Sequence, residues 1–415
     1  MTSPATTDRR RASTTARTRF ALGLFTLVAV AVYLDFRFST AVFTFKALPH
    51  GWPRHPWLDV FARYDSGWYY AIAKQGYFYN GPGQQSAVAF FPAYPFTIRA
   101  AGWVVGDAII GGVLVTLACG AGAAALFYRW CVGFLGVRTA RLALALLLLY
   151  PFAFYLFGAV YSDALFLVSA LAAFSLLERD RPWLAGLAGA VATACRPVGV
   201  ALVIGLVLRA LELRGVFEGP GWFPRRIVWS RLRLREAGVL VSGLGLALFS
   251  LYLWHRFREP FAFLKVGAST GWYRTIDLPT VAKANFYFRW RDYGLNVVTF
   301  WLTVQGLFTV GALALVPSIV RRFGRGYGAY VLVAVGMAAV STPDFVGMGR
   351  YVLVAFPVFA AVAARLSEVA DSASSASPAD RSARLARFLP LATLLGSGVL
   401  LAWMASLYAR WVFLA

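Results

Sequence analysis

Between Arg141 and Asp163 the chain carries no charged side chain, and after Asp163 none appears again until Glu178. That run is too long for one helix and contains no polar loop. Similar apolar runs of about twenty residues recur along the chain, each long enough to cross a ~30 Å hydrocarbon core at 1.5 Å per residue. Composition agrees. Hydrophobic residues fill 60% of the 415 positions and charged residues only 14%, whereas a soluble globular domain carries about 25% charged residues. The chain reads as an all-α polytopic integral membrane protein.

The formal net charge is +22, from 40 Lys+Arg against 18 Asp+Glu. In a soluble protein that excess would point to nucleic acid. Here no nucleic acid is expected, because arginine gathers in the cytoplasmic ends of membrane spans, and membrane lipids with anionic headgroups are the natural counter-charge. Lysine is scarce among the basic residues, a usage that fits a GC-rich bacterial genome; the expected location is then the bacterial plasma membrane, with the active site on the extracytoplasmic face. Cys119, Cys131 and Cys195 lack CxxC spacing and lie in or beside apolar runs, so they read as small buried hydrophobes. The basic tail 1–19 precedes an apolar run from Phe20, and no small-x-small site closes that run. An uncleaved first span is expected.

Spans are expected near 20–43, 104–128, 140–160, 161–177, 236–256, 296–319, 329–342, 350–365 and 388–410, about nine full transmembrane helices. A tight outer turn at "GAVYSDA" (158–164) divides the long uncharged run. As a single span, 183–208 would send the Arg-rich 209–235 segment outside. Two half-length helices meeting at "CRPVG" would dip in and return, with Pro197 and Gly199 supplying the break. Such breaks are tolerated at membrane depth where protein or water covers the freed backbone. The domain reading is then a cytoplasmic basic tail (1–19), a transmembrane catalytic module (20–365), a Ser/Ala-rich cytoplasmic linker (366–387) and a C-terminal transmembrane helix (388–415). The module carries long outer loops at 44–103 and 257–295. The second of these is also basic, against the general trend. No internal repeat is evident.

The first outer loop contains "WPRHPWLDVFARYDSGWYYAIAKQGY". From Leu58, apolar residues recur at Phe61, Tyr64 or Asp65, Trp68 and Ile72, a helical period. Its aromatics suit a membrane interface, so an amphipathic interfacial helix is expected. Asp59 and Asp65 would sit about 240° apart around it, at 100° per residue. A carboxylate held against an apolar wall is desolvated, which raises its pKa and suits it to act as a base. The plainer reading pairs Asp65 with Arg63 or Lys74.

Several stretches, in order along the chain, resemble the PIG-V family of mannosyltransferases, within the GT-C class of membrane glycosyltransferases. They are "ARYDSGWYYAIAKQGY" with "AFFPAYPFTIR", "YSDALF" (161–166), "ATACRPVG" (192–199), "EPFAFLKVGASTGW" (259–272) and "GRYVLVAFPVF" (349–359). Two positions depart from the family pattern. Tyr64 stands where Trp is usual, and Asp163 where Glu is usual, which bears on the substrate more than on the reaction class. The resemblance implies a GT-C-like fold and inverting transfer of a sugar, usually mannose, from a polyprenyl-phosphate donor. The acceptor would be an extracytoplasmic glycolipid, polysaccharide or protein. Asp65 would be the catalytic base. A lipid-linked donor presents its sugar at the interface, which explains an acid placed there.

Supporting residues follow. Asp163 either binds acceptor or sugar at a cavity mouth, or caps a helix and complements its dipole. Arg196, inside an apolar segment, faces a cavity or a partner; it binds the donor phosphate, pairs with Asp163, or ties down the break. Arg350 at a span end either contacts phosphate through its fork or snorkels. Arg289 and Arg291 in "NFYFRWRDY" are phosphate candidates or part of an interfacial belt. Tyr64 and Trp68 complete the substrate-binding set, with Lys265 and Trp272 weaker candidates. His50, His55 and His255 show no metal-ligand spacing. With no DxD pair, Walker loop or G-x-S-x-G elbow, no cofactor or metal is signalled. The competing readings are a transporter or flippase of a lipid or small solute, and a non-catalytic envelope partner.

Overall fold

The computed structural model describes residues 4–43, 55–219, 221–375 and 380–412, leaving aside the side chains of 4–14 and 383. His50 and Trp52 lie outside the described residues. The chain begins with α1 (Pro4–Val42), then α2 (Ser66–Gln75), α3 (Ala93–Val105) and the long α4 (Ala108–Leu148). Helices α5 (Asp163–Leu177), α6 (Pro182–Thr193) and α7 (Gly199–Leu213) form the middle of the bundle. Next come a two-stranded antiparallel ribbon, β1 (Phe217–Glu218) with β2 (Arg226–Ile227), a 3₁₀ stretch at Leu234–Gly243, and α8 (Leu244–Phe257). Short helices α9 (Ala262–Lys265), α10 (Leu278–Val281) and α11 (Ala284–Tyr293) lead to α12 (Val297–Ala314), α13 (Val316–Phe323) and α14 (Arg325–Ser341). The chain closes with α15 (Met348–Val354), α16 (Pro357–Ser375), α17 (Arg381–Arg387) and α18 (Leu389–Ala409).

Among the described residues, five helices are long and apolar enough to cross a bilayer, or six counting the bent pair α15–α16. The chain is an integral membrane protein of all-α class. The expected nine full spans are not all found at that length among the described residues, where α5, α6 and α14 are apolar but short. Helix α5 is almost wholly buried; protein, not lipid, covers it, so it need not match the bilayer thickness.

Several boundaries differ from the sequence reading. Residues 129–141 are not a loop. They continue α4, with the change of direction at Gly136 (φ 76°), a backbone conformation that glycine adopts without a Cβ penalty. Residues 149–162, read as the end of a span and a turn, form buried irregular chain with one 3₁₀ turn. Its backbone polar groups are satisfied by protein: Thr116 Oγ1 donates to Ala159 O (3.0 Å), and Val160 N–H to Phe61 O (3.0 Å), as chain without regular structure inside a membrane protein requires. The expected 350–365 span is bent by 77° between α15 and α16, at the residue before Pro357, where proline disfavours the helical conformation. The stretch 284–293 is helix, not loop, and the expected linker is helical up to Ser375 and again over Arg381–Arg387.

The pair α6–α7 reverses direction. Arg209 near the end of α7 binds Glu178 just before α6 (2.7 Å), and Arg214 binds both Asp180 and Glu236 (2.5 Å to the latter). Both ends of the pair therefore meet at one side of the bundle. Its break at 194–198 lies at the other side. Helix α5 spans the same distance, ~22 Å for 15 residues, from Glu178 at its end to Asp163 at its start. Helix α6 packs against the 3₁₀ stretch and α8 through glycines. A Cβ on Gly186 would lie 2.1 Å from Gly238 O, so the two backbones approach as closely as small residues permit.

Candidate active site

Asp65 does not sit within an amphipathic helix. The chain makes a 3₁₀ turn at Asp59–Phe61 and passes Tyr64 at φ 49°. Helix α2 starts only after Asp65. A tyrosine in the left-handed region is a strained backbone position that its surroundings must hold in place. Asp59 belongs to a different element and accepts from the His55 N–H (2.7 Å), so the helical-wheel angle between the two acids has no meaning. Helix α2 itself turns one face inward. It buries Ser66, Tyr69, Ile72 and Ala73 in the protein.

The C-terminal helix holds this turn. Tyr408 Oη donates to Phe61 O (3.2 Å), and the buried Arg63 donates from Nε to Ala409 O (3.0 Å) and from Nη1 to Asp59 O (2.7 Å). Arg63 also lies 5.3 Å over the Trp411 ring. Burial pulls its guanidinium below its ordinary pKa, opposed by Tyr408 and Asp59. The Tyr64 ring packs on Trp411 (4.9 Å) and Tyr408 (5.8 Å). Tyr64 thus faces α18 rather than Asp65's charged neighbours, and a module ending at residue 365 would lack its support. On the other flank, Tyr161 Oη accepts from the Asp65 N–H (3.0 Å) and donates to Arg63 O (3.1 Å).

Four predicted residues converge here. Arg350, on the short arm α15, donates from Nη1 to Asp65 Oδ2 (3.4 Å) and from Nη2 to Asp163 Oδ2 (2.8 Å). Its guanidinium lies over the Tyr161 (4.6 Å) and Tyr155 (4.8 Å) rings. Asp163 also binds Arg196, which the α6–α7 break presents and which lies 5.0 Å over Tyr351. The Asp163 side chain is 0% exposed. It does not line an open mouth, because two guanidiniums enclose it. Of the readings open for Arg196, pairing with Asp163 is the one realised, and the bend at Pro357 gives Arg350 a short arm that reaches inward. The Asp65 side chain is 34% exposed, and among the described residues Arg350 is the only partner of its carboxylate.

Sequence reasoning missed Arg274 and Tyr351. Arg274 donates to Tyr351 Oη and lies 5.6 Å over that ring. It is exposed and has no carboxylate within salt-bridge distance among the described residues. Asp65 and Asp163 balance Arg196 and Arg350, so Arg274 leaves the cluster one positive charge in excess. The signal was close by, since Arg274 stands two positions beyond Trp272, the end of the stretch 259–272. Tyr161 likewise opens "YSDALF".

Trp68, one helical turn beyond Asp65, stacks on Phe90 (5.6 Å, 16°) and lies near Trp272 (5.7 Å) and Phe78 (6.1 Å). On the same helix, Tyr69 shares a hydrogen bond with Ser162 (3.0 Å), and burial pushes its hydroxyl up to about 12. Arg289 and Arg291 do not join the cluster. Arg289 pairs with Asp344 (3.0 Å) and Arg291 with Asp292 (2.7 Å), because α11 turns them toward its own neighbourhood. Lys265 pairs with Glu259 (2.6 Å). Among the described residues no group of three His, Cys, Asp or Glu side chains gathers as a metal site.

No protein-family model matches the chain, and no curated protein matches it. Solved structures do show a likeness. ArnT from Cupriavidus metallidurans bound to undecaprenyl phosphate is 17% identical with a TM-score of 0.49, over 94% of this chain and 76% of that one. The archaeal oligosaccharyltransferase AglB from Archaeoglobus fulgidus, in complex with an inhibitory peptide and a dolichol-phosphate, is 14% identical with a TM-score of 0.49. That likeness covers 92% of this chain and 56% of AglB, so the chain spans little more than half its length.

Proposed function

We propose that the chain is an inverting glycosyltransferase that moves a sugar, mannose first among the candidates, from a polyprenyl-phosphate donor to a hydroxyl of an extracytoplasmic acceptor. The observation that carries this reading is the partly open Asp65 carboxylate. It sits on a strained turn and is tethered by Arg350 to the buried Asp163–Arg196 pair. Its environment provides one accessible proton acceptor and fixes everything behind it.

In the proposed step the acceptor oxygen attacks C1 of the donor sugar. The C1–O bond to phosphate breaks, and its electron pair leaves on the phosphate oxygen. The acceptor proton passes to Asp65. The departing polyprenyl phosphate gains negative charge, for which no second acid is needed but cationic donors are. Arg274, with its exposed guanidinium beside the Tyr351 hydroxyl, is the group best placed to meet that charge, because Arg196 and Arg350 are already committed to Asp163. Asp163 acts at a distance, by fixing the Arg350 fork that orients Asp65. Trp68 and Trp272 offer an aromatic face, next to the acid, for the sugar or the start of the lipid.

The test is release of polyprenyl phosphate by the purified full chain, given a panel of polyprenyl-phosphate sugars and envelope glycan extract as acceptor. Release dependent on both donor and extract is expected, largest with one sugar. No release with any donor would contradict the reading.

A further inference from the structure

The stretches 216–219 and 221–235, at the side of the bundle opposite the carboxylates, form a built surface. The ribbon β1–β2 and the Val228 N–H bond to Val216 O (2.8 Å) shape it. Arg325 clamps it from below, donating to Gly219 O (2.7 Å) and Trp222 O (3.2 Å). Its acids are used internally. Glu218 binds Arg231 (2.8 Å), while Glu236 binds Arg214 (2.5 Å) and Arg235 (3.2 Å). Three exposed arginines between these anchors, Arg225, Arg226 and Arg233, have no carboxylate within salt-bridge distance among the described residues.

Large apolar side chains stand among those arginines. Leu234 is 90% exposed, Phe223 83% and Trp229 62%. Leu234 is also the first residue of the membrane-length run Leu234–Phe257. The surface therefore lies where that run meets the membrane boundary. Aromatic and aliphatic groups there enter the edge of the acyl region while guanidiniums meet phosphates.

We infer that Phe223, Trp229 and Leu234 with Arg225, Arg226 and Arg233 form a docking surface for anionic phospholipid headgroups. The surface anchors the base of the α6–α7 hairpin to one leaflet. Charge complementarity selects the occupant: three unpaired cations stand beside an apolar edge, and phosphate-bearing lipids are the anions present at that depth. Each arginine at an anionic surface contributes about fivefold in local preference.

The experiment uses the full chain in nanodiscs, with bimane attached at Ser230→Cys. Spin-labelled phosphatidylglycerol and spin-labelled phosphatidylcholine are compared at equal mole fraction. Phosphatidylglycerol should quench several-fold more strongly. The R225Q/R226Q/R233Q variant should bring the two to near parity while unfolding at the same denaturant midpoint as its parent. Equal quenching in the parent would overturn the inference. So would an unchanged preference in a folded triple variant.

Discussion

Asp163→Asn should destabilise the protein far more than Asp65→Asn, although both remove one carboxylate from the same cluster. Asp163 has no exposed surface and faces two guanidiniums, Arg196 and Arg350. Asparagine keeps its volume but leaves the buried Arg196 without its counter-charge and Arg350 with only the Asp65 contact. Breaking a buried pair from one side costs about 3–5 kcal/mol. Asp65 is a third exposed and makes one contact at 3.4 Å, for which about 0–1 kcal/mol is the appropriate scale. The two variants should therefore differ by at least ~2 kcal/mol, about thirtyfold in the unfolding equilibrium. SDS titration in mixed micelles, followed by near-UV circular dichroism, measures the difference. Adding Arg196→Gln to Asp163→Asn should restore part of the loss, since the double change removes a pair instead of stranding one partner. Wild-type stability in Asp163→Asn, or a larger loss in Asp65→Asn, would refute the ion-pair account.

Further expectations concern packing, the fork and topology. Gly186→Ala puts a Cβ 2.1 Å from Gly238 O, which only a backbone shift can relieve; a loss of about 1–3 kcal/mol is expected in the same titration. Arg350→Lys keeps the charge but cannot reach Asp65 and Asp163 together; sugar transfer should fall at least tenfold, with a smaller change in donor KM. Single cysteines at the exposed Arg181 and Ser230 should react with an impermeant maleimide from the same membrane face, and one at Gln84 from the opposite face. Labelling of Arg181→Cys and Ser230→Cys from different faces would rule out the α6–α7 reversal.

Much of the site was legible because its charges stand out against an apolar background. In a chain with so few acids, Asp65, Asp163, Arg196 and Arg350 each required a reason, and the structure brings all four together. The chain reversal at Arg196 followed from charge placement, because a single span would have carried the Arg-rich segment across. What stayed hidden depended on pairing. Arg289 and Arg291 looked available in sequence, yet Asp344 and Asp292 occupy them. Arg274 looked ordinary, and its place beside Tyr351, with no carboxylate in reach among the described residues, shows only in three dimensions. The helical period from Leu58 to Ile72 was real in composition, but Tyr64 at positive φ interrupts it, and no periodicity reports a single strained residue. The support from α18 was invisible for a related reason: Arg63 and Ala409 are 346 positions apart and meet through a backbone carbonyl.

The central claim is that Asp65 takes the acceptor proton. Turnover of Asp65→Asn, purified and shown to unfold at the parent's SDS midpoint, measures it most directly with the donor that the parent uses best. The account predicts intact donor binding with sugar transfer reduced by about 10²–10⁴-fold, the usual contribution of a positioned base. Transfer at the parent's rate in that folded variant would contradict it.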